Sequence, residues 1–347
     1  MQALSLLLLA YISAAAALAS TAADWKALMP AFLRRVAQCN GPVAETPPLT
    51  PFFVDGVRAG DVAPPILEAL RDFPAVFAVT NEKVSLCADG TFEERNEAVN
   101  EVALALRDRG LLTKWRDETL ALTTRFDAPA PLLLIERRLN PLLGGKGFGV
   151  AVNGWCTEPA TGEQMLWVAT RADDKATWPG MLDALAAGAL AAGNSPLDAA
   201  RREAAEEAGV SAQLAAAAMR PVGAVSYRGV DESPTQPKDD VFFCFDIELP
   251  WDFAPLAVDG EVSKFERMPV AEVARAVAYG QAPGWPCPAL DGAGGTAAAL
   301  GFGALPLAFK PNINLVVLDW LVRHGHVPPD SPGYLELVAG LRQGECC

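Results

Sequence analysis

Residues 188–210 read GALAAGNSPLDAARREAAEEAGV, and the reading of this stretch decides the fold. Ser195-Pro196-Leu197-Asp198 predicts a helix start, with a serine cap, proline in the first turn and an acid three residues after the cap. In the helix that follows, Glu203, Glu206 and Glu207 stand at i, i+3 and i+4, which places them on one face. Ala204, Ala205 and Ala208 make the other side small enough to lie close on a sheet. Gly209 predicts the C-terminal stop, and Gly188 and Gly193 put a loop before the cap. Three crowded carboxylates repel one another unless a divalent cation shares their oxygens. Taken alone, EAAEE reads as the solvated face of an alanine-rich helix. The loop glycines, the cap and the stop around it favour a metal site.

The rest of the composition narrows the partners. At 347 residues the chain suits two domains, and 51% hydrophobic residues give both a core. A formal charge of −14 argues against a nucleic-acid partner, yet admits a small diphosphate approached through bound cations. His324 and His326 are the only histidines, so a histidine metal site or a Ser-His-Asp triad elsewhere is not expected. The seven cysteines form no CxxC pair and read as reduced, mostly buried thiols. Residues 1–23 carry no charge, and Leu6–Leu9 open an apolar run that ends near an A-x-A-like Ala17-Leu18-Ala19. That pattern predicts a cleaved secretory signal, with a membrane anchor or an organelle-targeting leader as rival readings. No stable membrane span is expected in the mature chain.

Residues 24–130 read as a small α+β companion unit. Its expected elements are an amphipathic helix over 24–40, a strand at 52–54, a helix over 64–73, a strand at 76–79 and a helix over 91–109. Residues 131–343 form the second unit. Strands are expected at 148–152, 165–169, 223–227 and 241–247, and helices at 269–278 and 315–322. Mixed strands around one functional helix predict an α/β/α sandwich.

Gly188, Arg202, Glu203, Glu206, Glu207, Gly209 and Val210 fall in register with the Nudix box, G-x5-E-x7-R-E-U-x-E-E-x-G-U, where U is aliphatic. Asn194 departs from it, standing where the box has its first glutamate. Ile135-Glu136-Arg137-Arg138, Gly149 to Gly154, Leu166 to Asp183, Asp259-Gly260-Glu261-Val262, Phe309 to Asn312 and Asp330 to Tyr334 extend the likeness. Together they resemble the Nudix branch related to thiamine pyrophosphokinase, which carries an N-terminal companion domain, has organellar plant members and tolerates a non-acidic residue at the Asn194 position.

The resemblance implies Mg²⁺- or Mn²⁺-dependent hydrolysis of oxidatively damaged thiamine diphosphates, such as oxothiamine diphosphate, to monophosphate and phosphate. It implies Glu203, Glu206 and Glu207 as metal ligands, Arg202 as the residue that orients them, and Glu261 or Glu206 as general base. Gly188 and Gly209 are structural in the motif. For the substrate it offers the rings of Trp178, Phe148, Tyr227 and Phe309, though each also reads as core. Arg171, Arg228 and Lys310 could meet phosphate or face solvent, and Asn153 and Asn312 could read ring nitrogens or cap turns. The same apparatus would serve 8-oxo-dGDP, and a non-catalytic binding module is the reading from a different class. The companion unit suits either covering the pocket or forming a homodimer. A leader of this kind fits a plastid or the secretory pathway.

Overall fold

A computed structural model of the chain describes residues 24–41, 48–230, 237–283, 285, 287 and 304–344. The leader expected over 1–23 lies outside the described residues, as do Cys346 and Cys347. Helix α1 (Trp25–Cys39) comes first, followed by the hairpin β1 (Thr50–Val54) and β2 (Val57–Val62). Helix α2 (Pro64–Leu70), strands β3 (Phe77–Val79) and β4 (Val84–Leu86) and helix α3 (Phe92–Asp108) complete a four-stranded sheet of order β2-β1-β4-β3 with its helices. The start of α3 is a reciprocal cap. Thr91 accepts from the Glu94 amide, and Glu94 reaches back to the Thr91 amide.

Strands β5 (Thr119–Leu122) and β6 (Leu133–Glu136) pair as a separate hairpin. Leu122, Leu133 and Ile135, then Leu139, Leu142 and Leu143, pack with Phe52, Leu70, Phe77 and Leu106 in one core, which therefore runs past residue 130. Gly144, at φ +66°, lies directly over the Asp61 backbone, where a side chain would not fit, so β2 and the entry to the second unit are tied by backbone contact.

The second sheet is built from β7 (Gly147–Thr157), β8 (Gln164–Arg171), β9 (Leu182–Asp183), β10 (Ala186–Ala189), β11 (Met219–Val230), β12 (Pro237–Glu248) and β13 (Val262–Pro269). Its main path is β11-β12-β7-β8-β13, with β10 paired to β7 and β9 to β8. Only β12 and β7 run parallel, so the sheet is mixed. One face carries α4 (Pro196–Ala208) and α5 (Ala212–Ala218), over a core of Val150, Val152, Ala200, Ala204, Phe245 and Ile247. The other carries α6 (Val270–Tyr279), α7 (Pro311–Arg323) and α8 (Tyr334–Gly340), giving an α/β/α sandwich.

Helix α1 departs from the expected grouping. Sequence adjacency places it with residues 24–130, but Leu28, Met29, Phe32 and Val36 pack into the core of α6, α7 and α8. Arg35, fully buried on α1, donates from Nε to the Val277 carbonyl at 2.9 Å, which fixes the helix there. Among the described residues no helix is long and apolar enough to cross a membrane.

The expected reduced thiols are Cys39, Cys156, Cys244 and Cys287, all buried, and the exposed Cys87. Burial pushes the Cys39 and Cys244 thiols up to about 12, so both stay protonated.

Candidate active site

Helix α4 sets the acidic face. Ser195 Oγ accepts from the Asp198 amide at 3.1 Å, and Gly209 ends the helix in the left-handed region at φ +67°. Ala200, Ala204 and Ala208 are buried against the sheet, whereas Ala205 is exposed. That apposition turns the glutamates toward β10. Glu207 is buried and accepts the Ala187 amide at 3.0 Å. Glu203 lies over Gly188, where a methyl group would overlap its carboxyl. Arg202 bridges the face, 2.9 Å from Glu203 and 3.8 Å from the more exposed Glu206.

The loop after β12 completes the cluster. Carboxylate oxygens of Glu207, Asp259 and Glu261 lie within 4.8 Å of one another. Asp259 also accepts the Glu261 amide at 2.8 Å, which orders the turn. The Glu261 carboxylate is ion-paired with Lys175. Burial opposes its charge, but the Lys175 hydrogen bond and charge, then Arg171 and Arg116, hold it below the ordinary carboxylate value. Glu207 goes the other way. Burial first, then the Asp183 charge, push it up to about 8. Oxygen donors of this charge, converging from a helix and a turn, are the donor set of a hard divalent cation.

A cavity of about 410 Å³ opens beside the acidic face. Trp178, Tyr227, Lys310, Asn312 and Arg171 line it, together with Phe148. Trp178 stands at φ +51° in the 172–180 loop, edge-on to Trp285. Arg171 fastens that loop. Its guanidinium donates to the carbonyls of Thr177 (2.9 Å) and Trp178 (3.0 Å) and to Asp183 Oδ2 (2.7 Å). Lys310 Nζ is 3.7 Å from the same Asp183 carboxylate. Tyr227 donates its hydroxyl to Asp240 at 2.9 Å. Asn312 is buried, and its Oδ1 has no hydrogen-bond partner among the described residues.

Three expected substrate residues lie elsewhere. Phe309 is fully buried in the helix-side core, because its strand-like segment bridges to Leu182 and turns the ring inward while Lys310 faces the cavity. Asn153 donates to Asp246 at 3.1 Å, beside His324. Arg228 is 3.5 Å from Asp61. Conversely, Asp259, Lys175 and Asp183 were not among the expected site residues, although all three stand in segments that extend the likeness. Asp259 was within reach, two residues from Glu261 across a Gly turn. Lys175 and Asp183 meet the glutamates only through the fold.

Residues 31–147 match a family described as a domain of unknown function, DUF4743, and residues 147–285 match the NUDIX domain. Among curated relatives, chloroplastic Nudix hydrolase 24 of Arabidopsis thaliana is 35% identical, over 91% of this chain and 78% of its own length. Chloroplastic Nudix hydrolase 20 of the same plant is 34% identical over the same shares. An uncharacterized Saccharomyces cerevisiae protein is 27% identical over 73% of this chain and 69% of its own. With the acidic helix face, the mixed sheet and this near full-length identity together, the protein belongs to the Nudix hydrolases and is an enzyme that acts on pyrophosphate bonds.

Proposed function

We propose that this enzyme hydrolyses the diphosphate of oxidised thiamine diphosphates, releasing phosphate and the monophosphate. The observation that carries the reading is one continuous cavity. Glu203, Glu206 and Glu261 line it together with Phe148, Phe242, Tyr227 and Trp178, whose rings suit a two-ring organic group. About 410 Å³ is the size class of a single small-molecule site. The segments that resemble the thiamine-pyrophosphokinase-related branch support the choice of organic group, since the box itself is indifferent to it.

Nudix hydrolases generally use divalent cations, usually Mg²⁺. The converging oxygens of Glu207, Asp259 and Glu261, with Glu203 beside them, fit such an ion and are assigned to hold it. Bound there, it supplies neutralisation of phosphate charge and lowers the pKa of water. The remaining work falls to side chains. Glu206, the most exposed of the three box glutamates, takes the proton of the attacking water, because the Glu261 carboxylate is assigned to the cation. Arg202 fixes Glu203 and Glu206, Lys310 faces phosphate, and Asn312 and Tyr227 meet the organic group. Residues 1–23 are assigned as a plastid leader, in line with the two chloroplastic relatives.

Phosphate release by the full chain with Mg²⁺ tests the reading. Oxothiamine diphosphate is expected to be preferred over thiamine diphosphate, 8-oxo-dGDP and ADP, with Glu206→Gln inactive. Preference for 8-oxo-dGDP would move the function to nucleotide-pool cleaning, and no turnover on any of the four would overturn the substrate class.

The close packing of Gly188 gives a second test. Gly188→Ala must displace the Glu203 carboxyl, and a shift of about 1 Å in a positioned group is expected to lower turnover on the order of a hundredfold. Unaltered turnover in a folded Gly188→Ala variant would remove Glu203 from the site.

A further inference from the structure

The segment Ile135-Glu136-Arg137-Arg138 has no part in the chemistry above, yet it reaches the same cavity. Arg116 and Arg138, at the open end of the β5–β6 hairpin, both line it. Their backbones are held by one group. Glu136, only 5% exposed, accepts both the Arg116 amide (3.1 Å) and the Arg138 amide (3.2 Å) on the same Oε1. Between them Arg137 is locked to Glu118, backbone to backbone at 2.7 Å and guanidinium to carboxylate at 2.6 Å. Lys114 then donates to the Ala176 carbonyl, docking the hairpin's approach onto the loop that carries Lys175 and Trp178. A buried carboxylate serving two backbone amides is a construction that positions what those residues carry, and both carry guanidinium groups.

A chain of charge −14 repels a diphosphate, and the acidic face of α4 repels it further. Cations at the site answer for the oxygens they touch; the rest need other donors. Arg116 is exposed to the cavity and close enough for its charge to act on Glu261. We propose that Arg116 and Arg138 form an anion subsite for the terminal phosphate of the substrate, contributed by the companion unit to the cavity that the acidic helix also lines. The assignment rests on the reading that this cavity takes a diphosphate. It gives the first unit a defined task, which is to complete the substrate site with a cationic wall.

Inorganic pyrophosphate, titrated calorimetrically into the full chain with Mg²⁺, tests the subsite without reference to any organic group. Arg116→Ala and Arg138→Ala are each expected to weaken binding about tenfold, as for loss of a charge-assisted hydrogen bond. Thiamine monophosphate, which lacks the terminal phosphate, is expected to bind the wild type and the arginine variants alike. Unchanged pyrophosphate affinity in the folded double variant would overturn the subsite, and an equal loss for the monophosphate would overturn its assignment to the terminal phosphate. A failure of the thiamine reading appears separately, as the wrong preference in the substrate panel with pyrophosphate binding intact.

Discussion

Glutamine in place of Glu207 is expected to lower Mg²⁺-supported turnover by about 30- to 5,000-fold, the equivalent of the roughly 2–5 kcal/mol lost when a desolvated charge loses its partner. Glu207 is the buried member of the acidic cluster and the point where α4, β10 and the Asp259–Glu261 turn converge. The variant keeps an acceptor for the Ala187 amide, so the helix should stay in place. Stability should move in the opposite direction. With cations removed by EDTA, a carboxyl raised to about 8 holds its proton more tightly in the folded chain than in the unfolded one. Its favourable share is therefore complete below the unfolded pKa near 4.5 and is lost as pH climbs toward 8. At neutral pH the metal-free Glu207→Gln protein is expected to be more stable than wild type, on the order of 3 kcal/mol, with the difference closing toward pH 4.5. Melting curves with EDTA across that range, beside turnover with Mg²⁺, check both halves. Near wild-type turnover, or melting profiles that run parallel with pH, would remove Glu207 from the centre of the site.

What could be read from the sequence follows the range of the interactions involved. The α4 face was legible because cap, carboxylate spacing and stop are all local, and i, i+3, i+4 geometry needs no partner. Helix α1 was legible as a helix but not in its packing, since its apolar face meets α6, α7 and α8 some 240 residues or more further on. Asn153 illustrates a finer limit. It shares β7 with Phe148, but five residues of strand carry it roughly 16 Å along the sheet, to Asp246 at the far end. Phe309 and Lys310 could have been separated by alternation, because neighbours on an extended segment face opposite ways. Lys175 and Asp183 could not. Each earns its place only by what the fold brings against it.

Arg171 shows the consequence of such a long-range dependence, and replacing it with alanine is expected to destabilise the chain by about 3–5 kcal/mol, the usual penalty for breaking a buried ion pair. The side chains of Arg171 and Asp183 are 10% and 9% exposed. Burial opposes the Asp183 charge, yet Lys310 and Arg171 together keep its carboxyl below the ordinary value. Without Arg171, Asp183 would keep Lys310, at 3.7 Å, and the Ala184 amide, at 2.9 Å, and would face Glu207 as a second buried carboxylate. The 172–180 loop would also lose the donors that bind the Thr177 and Trp178 carbonyls, and with them the support for Trp178 at φ +51°. Arg171→Lys keeps the charge but cannot span two carbonyls and a carboxylate, so an intermediate loss is expected. Adding Asp183→Asn to Arg171→Ala should recover part of the stability, because the orphaned charge goes while the loop contacts stay broken. Urea unfolding of the four proteins, with tryptophan fluorescence as a probe of the loop, measures each step. A loss below about 1 kcal/mol for Arg171→Ala, the range of an exposed pair, would mean that Arg171 meets substrate rather than holding the wall of its cavity.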